Sequence, residues 1–373
     1  MTVLFKTPVD SVCIPILGWV SMVALLLIQC GCHHIGPKTI VDDRLPYNEA
    51  VAESWKEQTL LNIVKQRYGD TVAFAEVSQV ISGYSRDRSG GVEIGTVPGV
   101  VPGLTPGDRF RTLFNLRTSF SDRPTITYTP QTGSQFLRRL ARPLRPEVVL
   151  FLIEAGYPAD VILELTVESI NGVRNRSSSL RQARLADPEF QRLLQVFRRA
   201  QLARGLSTRV KINPEKVETT VLLIRSPDEN IDSDLVSDLA ESKKLLNLDE
   251  ELSEFRVVQG SVQLEKNQLA IQTRPLLGIL SGLAQFVDVP DHHIADGSAQ
   301  PLEVSCTESP LRVLCSDAPP ADCYAAVPYR GCWYWVDDRD VVSKRTFIYL
   351  FFLLAQADSE ANRSLPLVTI PVN

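Results

Sequence analysis

The sequence lacks the short motifs by which the common enzyme classes are recognised. It contains no P-loop, no G-x-S-x-G nucleophile elbow, no H-E-x-x-H zinc motif and no C-x-x-C pair. These absences exclude the usual patterns of P-loop nucleotide hydrolases, α/β-hydrolases, zincin proteases and dithiol redox proteins. No cofactor is predicted, and any catalysis has to rest on residues outside these motifs.

Histidine is scarce, with four residues that form two adjacent pairs, His33–His34 and His292–His293. Adjacent side chains point apart on a strand and diverge on a helix, so each pair is expected to offer at most one metal ligand. The first pair is predicted to lie in a tether. The second, with Asp291 and Asp296, is predicted to lie in a loop after Pro290, and a metal site is the alternative.

A basic excess is also missing, because 39 Lys and Arg are opposed by 44 Asp and Glu. Nucleic-acid binding needs strong positive charge, so no nucleic-acid partner is predicted. The charge is uneven along the chain: residues 138–211 carry 14 basic and 7 acidic residues, and residues 215–254 carry 4 and 12. The two segments are predicted to face each other or to lie on separate solvated helices. The alternative is a basic face for anionic headgroups or an acidic partner.

One long apolar run is present, at residues 11–29, and it contains no charged residue. Lys6 precedes this run and small residues around Gly31 follow it, which is the order of a secretory signal peptide. The run approaches the ~20 residues that span a bilayer, so an uncleaved anchor helix is the alternative. The sequence therefore predicts an exported chain that is cleaved after residue 31.

Together with the Gly31-Cys32 pair that follows it, this leucine-rich run resembles the lipobox of bacterial lipoproteins, in which the first mature residue is a lipid-modified cysteine. Gln29 departs from that pattern, which prefers leucine, and Cys30 is a competing position. The resemblance implies a palmitate-bearing anchor on Cys32 and a membrane partner, since acyl chains supply the apolar burial that stable anchoring needs. No aspartate follows Cys32, which in this class favours the outer membrane. An unmodified thiol is the alternative.

Four cysteines, Cys306, Cys315, Cys323 and Cys332, lie close together in the exported part. An even number of cysteines in an exported domain predicts disulfides. A four-thiolate zinc site is the rival interpretation, but it needs C-x2-C knuckles, which are missing here. Residues 323–336 are predicted to form two strands joined at Tyr329–Arg330. This register sets Val327 opposite Cys332 and leaves Cys323 and Cys332 out of mutual reach. Of the three possible connectivities, the nested one, Cys315–Cys323 with Cys306–Cys332, is then predicted.

The hydrophobic pattern predicts an α+β fold with mixed antiparallel strands, packed helices and a disulfide-linked C-terminal β region, because no βαβ repeat is present. The clearest helix is predicted after Asp187-Pro188, with Phe190, Leu193, Leu194 and Phe197 on one buried face. Other helices are predicted over 48–68, 233–246 and 341–357. The last is apolar on all sides and suits a buried core. A strand is predicted over 161–170.

The chain is predicted to have four parts: a signal peptide over 1–31, a lipidated tether over 32–46, an N-terminal α+β part over 47–213, and a C-terminal α+β part with the cysteine cluster over 214–373. The tether is predicted because residues 33–46 are polar and lack periodicity. Residues 89–107, which contain paired glycines, are predicted to form a long mobile loop that a partner orders.

Two groups of side chains are candidate sites near the C terminus. Asp337, Asp338 and Asp340 could hold a divalent cation, since hard cations bind clustered carboxylates. The favoured interpretation is that they cap the helix that follows and suit its positive dipole end. Trp333 and Trp335 share one strand face and are predicted to cover a core, with a glycan or peptide platform as the alternative.

Longer segments resemble a known family. Residues 35–70, with RPTITYTPQTG, EAGYPADVIL and VDDRDVVSKRTF further along, are similar to a family of uncharacterised bacterial envelope lipoproteins. The resemblance covers most of the mature chain. It implies a bacterial source, a lipid anchor and an envelope location, and it implies no activity.

Three functional hypotheses follow from these patterns. The first is a non-enzymatic, lipid-anchored, periplasm-facing module that holds or recruits an envelope protein partner. The alternative is an envelope hydrolase that uses the carboxylates of Asp337, Asp338 and Asp340. The third is a structural spacer without a stable partner.

Overall fold

The computed structural model describes residues 36–81, 84–97, 109–122, 125–131, 134–177, 184–212, 218–224, 233–301 and 309–359. The chain divides into two compact units, one formed by Met1–Val51 with Val80–Ile126 and the other by Ala52–Gln79 with Thr127–Asn373. The predicted signal peptide, Cys32 and Cys306 lie outside the described residues.

The first helix, α1, spans Gly36–Arg67. Its end agrees with the prediction, but it begins inside the segment predicted as a tether, so residues 36–46 are helical where no helix was predicted. Pro46 lacks the backbone donor that continues a helix, and the flanking residues are polar, so no helical periodicity marks this part. Near the other end, Leu60, Ile63 and Val64 are fully buried at helical spacing.

Strand β1 (Phe74–Ile81) pairs with β4 (Thr125–Gln131) in a two-stranded sheet. Asn62 of α1 fixes the chain before β1 with two hydrogen bonds to Ala73. Its Nδ2 donates to the Ala73 carbonyl at 2.8 Å, and its Oδ1 accepts from the Ala73 amide at 2.9 Å.

Between these strands in sequence, β2 (Tyr84–Val97) and β3 (Arg109–Asp122) form a long antiparallel hairpin. The predicted loop over 89–107 is therefore wrong for residues 89–97, which pair with β3. Gly90-Gly91 suggested a break, yet Val92, Ile94 and Thr96 alternate with the period of two that a strand requires. Residues 98–108 lie outside the described residues.

Three helices follow: α2 (Ser134–Ala141), α3 (Pro146–Glu154) and α4 (Ala159–Thr166). α4 occupies most of the segment predicted as a strand, and that prediction is correct only for the last residues. Its buried positions, Ala159, Ile162, Leu163 and Thr166, recur at helical spacing. The segment VILELT is so short that its apolar residues fit both the period of 2 of a strand and the period of 3.6 of a helix. Packing in the fold selects the helix.

The main sheet has six strands in the order β6-β5-β10-β9-β8-β7. All pairings are antiparallel except β9 with β10. The strands are β5 (Val167–Ile170), β6 (Val173–Arg174), β7 (Leu206–Ile212), β8 (Glu218–Ile224), β9 (Glu254–Gln259) and β10 (Gln268–Thr273). The sheet takes strands from both sides of residue 213, so the boundary predicted there passes through a continuous sheet.

Helix α5 (Pro188–Leu202) matches its prediction, with Phe190, Leu193 and Phe197 buried. Asp187 is at the N-cap position, but its carboxylate accepts from the Arg174 amide and from Arg184 in place of the helix amides. Helix α6 spans Ser233–Leu245. Helix α7 spans Leu276–Leu283 and continues into a 3-10 turn at Ala284–Phe286.

A three-stranded antiparallel sheet, ordered β11-β13-β12, contains the cysteine region. It consists of β11 (Leu314–Ser316), β12 (Cys323–Tyr329) and β13 (Cys332–Asp337). The β12–β13 turn is at Arg330-Gly331, where both residues have positive φ. This two-residue turn sets Tyr329 opposite Cys332, two positions away from the predicted register.

Two further helices complete the described chain, α8 (Asp291–Ala295) and α9 (Val341–Ser359). The predicted α+β class with mixed, mostly antiparallel sheets and packed helices is confirmed. In the part of the chain that the structure describes, no helix is both long and apolar enough to cross a membrane.

Candidate functional site

A buried polar cluster forms where the residue after α1 meets α8 and β13. The Tyr68 hydroxyl lies 2.7 Å from His293 Nδ1 and is also hydrogen-bonded to the Tyr334 hydroxyl. Tyr334 is fully buried and His293 nearly so. Burial raises the pKa of Tyr68 and of Tyr334, so both hydroxyls keep their protons at neutral pH. We refer to Tyr68 and Tyr334 as the tyrosine pair.

A charged group borders this cluster. The Asp70 carboxylate accepts hydrogen bonds from the Tyr329 hydroxyl and, at 2.9 Å, from Arg330 Nη2. The Tyr329 hydrogen bond and then the Arg330 hydrogen bond lower the pKa of Asp70. The Arg330 guanidinium also lies 5.0 Å from the centre of the Tyr68 ring. The β12–β13 turn therefore ties the end of α1 to the sheet.

His292 and His293 lie next to Cys332. The two ring centroids are 4.3 Å apart, and one nitrogen of each ring lies with the Cys332 Sγ in a group whose atoms are within 4.8 Å of one another. Both rings of the pair thus lie at one place, where the sequence predicted that they diverge. The residues form the short helix α8 where a loop was predicted, and rotation about the side-chain bonds brings the two rings to one side although their Cβ atoms diverge.

The described cysteines do not form the predicted disulfide. Cys315, Cys323 and Cys332 are free thiols. The Cys315–Cys323 bridge is wrong because β13 lies between the strands that carry these residues. Adjacent strands are about 4.8 Å apart, so these two strands are about 9.6 Å apart, whereas disulfide Cα atoms lie within about 7 Å. Cys306 lies outside the described residues, so Cys306–Cys332 stays a prediction.

All three thiols lie in surroundings that keep them protonated. Burial is the largest cause that raises the pKa of Cys315, Cys323 and Cys332, and nearby carboxylates add to it. Because the thiolate is the reactive form, these thiols are weak nucleophiles at neutral pH. The geometry therefore gives no support for a nucleophilic cysteine among them.

The acidic residues before α9 have separate local partners. Asp340 accepts from the Ser343 amide at 3.1 Å and from its hydroxyl at 2.6 Å. Asp337 accepts from the backbone amide two residues on, at 2.8 Å. Asp338 pairs with Lys344 at 2.7 Å, and this hydrogen bond lowers the pKa of Asp338. These contacts favour the role in starting a helix over a shared cation site.

Trp333 and Trp335 lie on one face of β13, and Tyr334 of the tyrosine pair lies on the other face. Both indoles are half-buried, whereas Cys332, Tyr334 and Val336 on the other face are buried. Trp335 is opposite Leu314 on one neighbouring strand and opposite Ala326 on the other. This packing favours the interpretation that the tryptophans cover the small sheet.

The basic and acidic segments contact each other. Arg192 and Arg199 of α5 both pair with Asp238 of α6, Arg192 at 2.7 Å. Lys211 of β7 pairs with Glu254 of β9. The prediction that the two segments face each other is confirmed at these positions.

The outer face of α9 exposes large apolar side chains. Phe347, Leu350 and Leu353 on the inner face are fully buried. Ile348, Phe351 and Phe352 are 47%, 49% and 38% exposed. The prediction of a helix buried on all sides is therefore wrong for one face.

Two aromatic residues from other elements adjoin this face. Trp55 of α1 contacts Phe351 edge-on with ring centroids 5.1 Å apart, and Tyr157 contacts Phe352 at 5.3 Å. We define Trp55, Tyr157, Ile348, Phe351 and Phe352 as the aromatic patch. The aromatic contacts join its members into one surface.

Sequence reasoning did not find Tyr68 or Tyr334 as members of a site. The two residues are 266 positions apart, and no motif links them. Tyr334 was visible only as an alternating apolar position of β13. A polar-tipped residue at a core position is the one signal that pointed to it, because a buried tyrosine hydroxyl usually has a hydrogen-bond partner.

Comparisons with protein families, with curated proteins and with solved structures find no match to this chain. The resemblance to envelope lipoproteins stays a prediction. Function is therefore inferred from the residues of this chain and their contacts.

Proposed function

We propose that this protein is a lipid-anchored, periplasm-facing module of the bacterial envelope that binds another envelope protein through the aromatic patch. The export run and Cys32 support the location, and the exposed face of α9 supports the binding role. The exposed face of α9 is the observation that carries the proposal.

The sequence of α9 gives the first reason. A helix that is apolar all round is normally buried all round, since each exposed apolar side chain forgoes burial that favours folding. Residues 346–355 are apolar or aromatic apart from Thr346, yet the fold buries only one side of them. A second apolar surface is therefore expected to cover the other side.

The composition of the patch gives the second reason. Phenylalanine, tyrosine and tryptophan are enriched at the centres of protein interfaces, where they bury much area with little loss of side-chain entropy. The patch contains four aromatic residues. An ion pair joins Asp160 of α4, the helix that begins just after Tyr157, to Arg198 of α5, with N and O atoms 3.7 Å apart. A hydrophobic centre with charged groups beside it is the usual anatomy of such an interface.

Charge favours a protein partner over a lipid surface. The chain has a formal net charge of −5 at pH 7. Anionic headgroups attract basic surfaces and repel acidic ones. In the basic segment, Arg192, Arg199 and Lys211 are paired with carboxylates, which reduces the positive charge that this segment offers to a lipid surface. The occupant is therefore a protein that presents an apolar surface.

The test is chemical crosslinking in living cells with a tagged full chain, followed by mass spectrometry of the proteins that co-purify. The variants are Phe351→Ala with Phe352→Ala, and separately Cys32→Ala. The matched control is Val262→Ala with Leu264→Ala, which removes side chains that are 65% and 93% exposed away from the patch.

One dominant envelope protein is expected with the wild type and the control, with at least tenfold less from the patch variant. Replacement of Cys32 is expected to reduce the yield because it releases the anchor. Equal recovery with the patch variant and the wild type would contradict the proposal. No partner above background in any sample would favour the spacer or hydrolase hypotheses.

A further inference from the structure

We propose that His292, His293 and Cys332 form a binding site for Zn²⁺. One ring nitrogen from each histidine and the cysteine sulfur lie within 4.8 Å of one another. Among the residues that the structure describes, this is the one group of three such ligands that converges. The proposal does not rest on the partner-binding function.

The ligand types select the metal. A thiolate with two imidazoles suits Zn²⁺, whereas Ca²⁺ and Mg²⁺ prefer oxygen ligands. Zn–N bonds of about 2.0 Å and Zn–S bonds of about 2.3 Å place tetrahedral ligand atoms about 3.3–3.6 Å apart. The three atoms lie within 4.8 Å of one another, so they need to close by up to about 1.5 Å, and His292, whose side chain is exposed, can rotate to do so.

The surroundings of His293 prepare it as a ligand. Its Nδ1 is 2.7 Å from the Tyr68 hydroxyl, which is also bonded to the Tyr334 hydroxyl. When Nδ1 carries the proton and donates to Tyr68, Nε2 keeps the lone pair that binds a metal ion. A hydrogen bond to the second ring nitrogen is what orients most metal-binding histidines. The tyrosine pair is thus a positioning element for the site.

The site has one buried side and one open side. His293 and Cys332 are 6% and 4% exposed, whereas His292 is exposed. Three protein ligands with a solvent-facing fourth position leave room for a water molecule or a partner's side chain on the metal. The same geometry requires Cys332 as a thiolate, so a Cys306–Cys332 disulfide and the metal exclude each other.

The test is a titration of the purified, chelator-treated full chain with Co²⁺, followed by displacement with Zn²⁺. Co²⁺ bound to a thiolate gives an intense sulfur-to-metal charge-transfer band in the near ultraviolet. The variants are His292→Ala, which changes an exposed side chain, and Cys332→Ser, with Cys323→Ser as the control thiol on the neighbouring strand.

One equivalent of Co²⁺ is expected to give the band in the wild type and in Cys323→Ser, and Zn²⁺ is expected to remove it. His292→Ala is expected to weaken binding at least tenfold, and Cys332→Ser to abolish the band while the circular dichroism spectrum is unchanged. Tyr68→Phe is expected to weaken binding about 10- to 100-fold, as for other residues that orient a ligand.

Three results would overturn the proposal: no charge-transfer band in the wild type, a band of equal strength in Cys332→Ser, or peptide mapping of the exported protein that finds Cys332 in a disulfide. If Cys332→Ser loses its folded spectrum, His292→Ala decides alone, because its side chain is exposed. Unchanged affinity in His292→Ala would then exclude this site.

Discussion

Replacement of Tyr68 by phenylalanine is expected to destabilise the protein more than the same change at Tyr334, although Tyr334 is the more deeply buried. The Tyr68 hydroxyl is the middle member of a chain of three groups, bonded both to His293 and to Tyr334. Its removal leaves two buried polar groups without their partner. The Tyr334 hydroxyl is at the end of the chain, and its removal leaves Tyr68 bonded to His293.

The magnitudes follow from this difference. A buried polar group that loses its partner costs about 1–3 kcal/mol, so Tyr68→Phe, which leaves two such groups, is expected to cost about 2–6 kcal/mol. One net hydrogen bond is worth about 0.5–1.5 kcal/mol, which is the expected cost of Tyr334→Phe. The double variant is expected to cost less than the sum, because the Tyr68–Tyr334 hydrogen bond is then removed only once.

The assay is urea unfolding of the wild type, the two single variants and the double variant at pH 7, followed by tryptophan fluorescence. The midpoint is expected to fall furthest in Tyr68→Phe, with an unchanged slope. A smaller loss in Tyr68→Phe than in Tyr334→Phe would refute the chain of three groups. Additive losses within about 0.3 kcal/mol would refute a direct bond between the tyrosine hydroxyls.

Three further predictions concern stability. Burial raises the pKa of both members of the tyrosine pair above the ordinary value, so the unfolded chain loses those protons at lower pH than the folded chain does. The free energy of unfolding is therefore expected to fall above about pH 10, by about 1.4 kcal/mol per pH unit for each tyrosine. Urea midpoints from pH 8 to 11 check this, and a flat profile would contradict it. Phe347→Ala is expected to cost about 3–5 kcal/mol of unfolding free energy and Phe351→Ala below about 1 kcal/mol, because only Phe347 of these two is fully buried. Thermal unfolding compares the two variants. Equal losses would show that the outer face of α9 is packed. Glu168→Ala is expected to cost about 2 kcal/mol of unfolding free energy and Glu168→Gln less, because the buried Arg274 guanidinium loses its carboxylate but keeps its backbone acceptors. Urea unfolding measures both losses. A loss below about 0.5 kcal/mol in Glu168→Ala would contradict a stabilising Glu168–Arg274 pair.

Local patterns predicted much of the fold. Helix α5 was predictable because a proline start and a wide apolar stripe agree over 15 residues. The β12–β13 pair was predicted from its alternation and turn residues, although its register differs by two positions. Short segments were harder: VILELT carries too few residues to separate a period of 2 from a period of 3.6, and only burial in the fold selects the helix.

The candidate sites depend on contacts that the sequence does not encode locally. His293 and Tyr68 are 225 positions apart, so their hydrogen bond follows only from the packing of α8 against the end of α1. The strand order β11-β13-β12 likewise separates Cys315 from Cys323, although they are close in sequence. The aromatic patch could not be predicted because an all-apolar helix normally indicates burial on every side.

The most direct test of the partner-binding account is site-specific photocrosslinking in living cells. Phe352 in the aromatic patch is replaced by a photoreactive phenylalanine analogue, and Leu264, which is 93% exposed, is replaced in a separate chain as the control position. The account predicts one discrete crosslinked envelope protein from position 352 and none from position 264. Labelling at position 352 that is absent, or no stronger and no more discrete than at position 264, would contradict it.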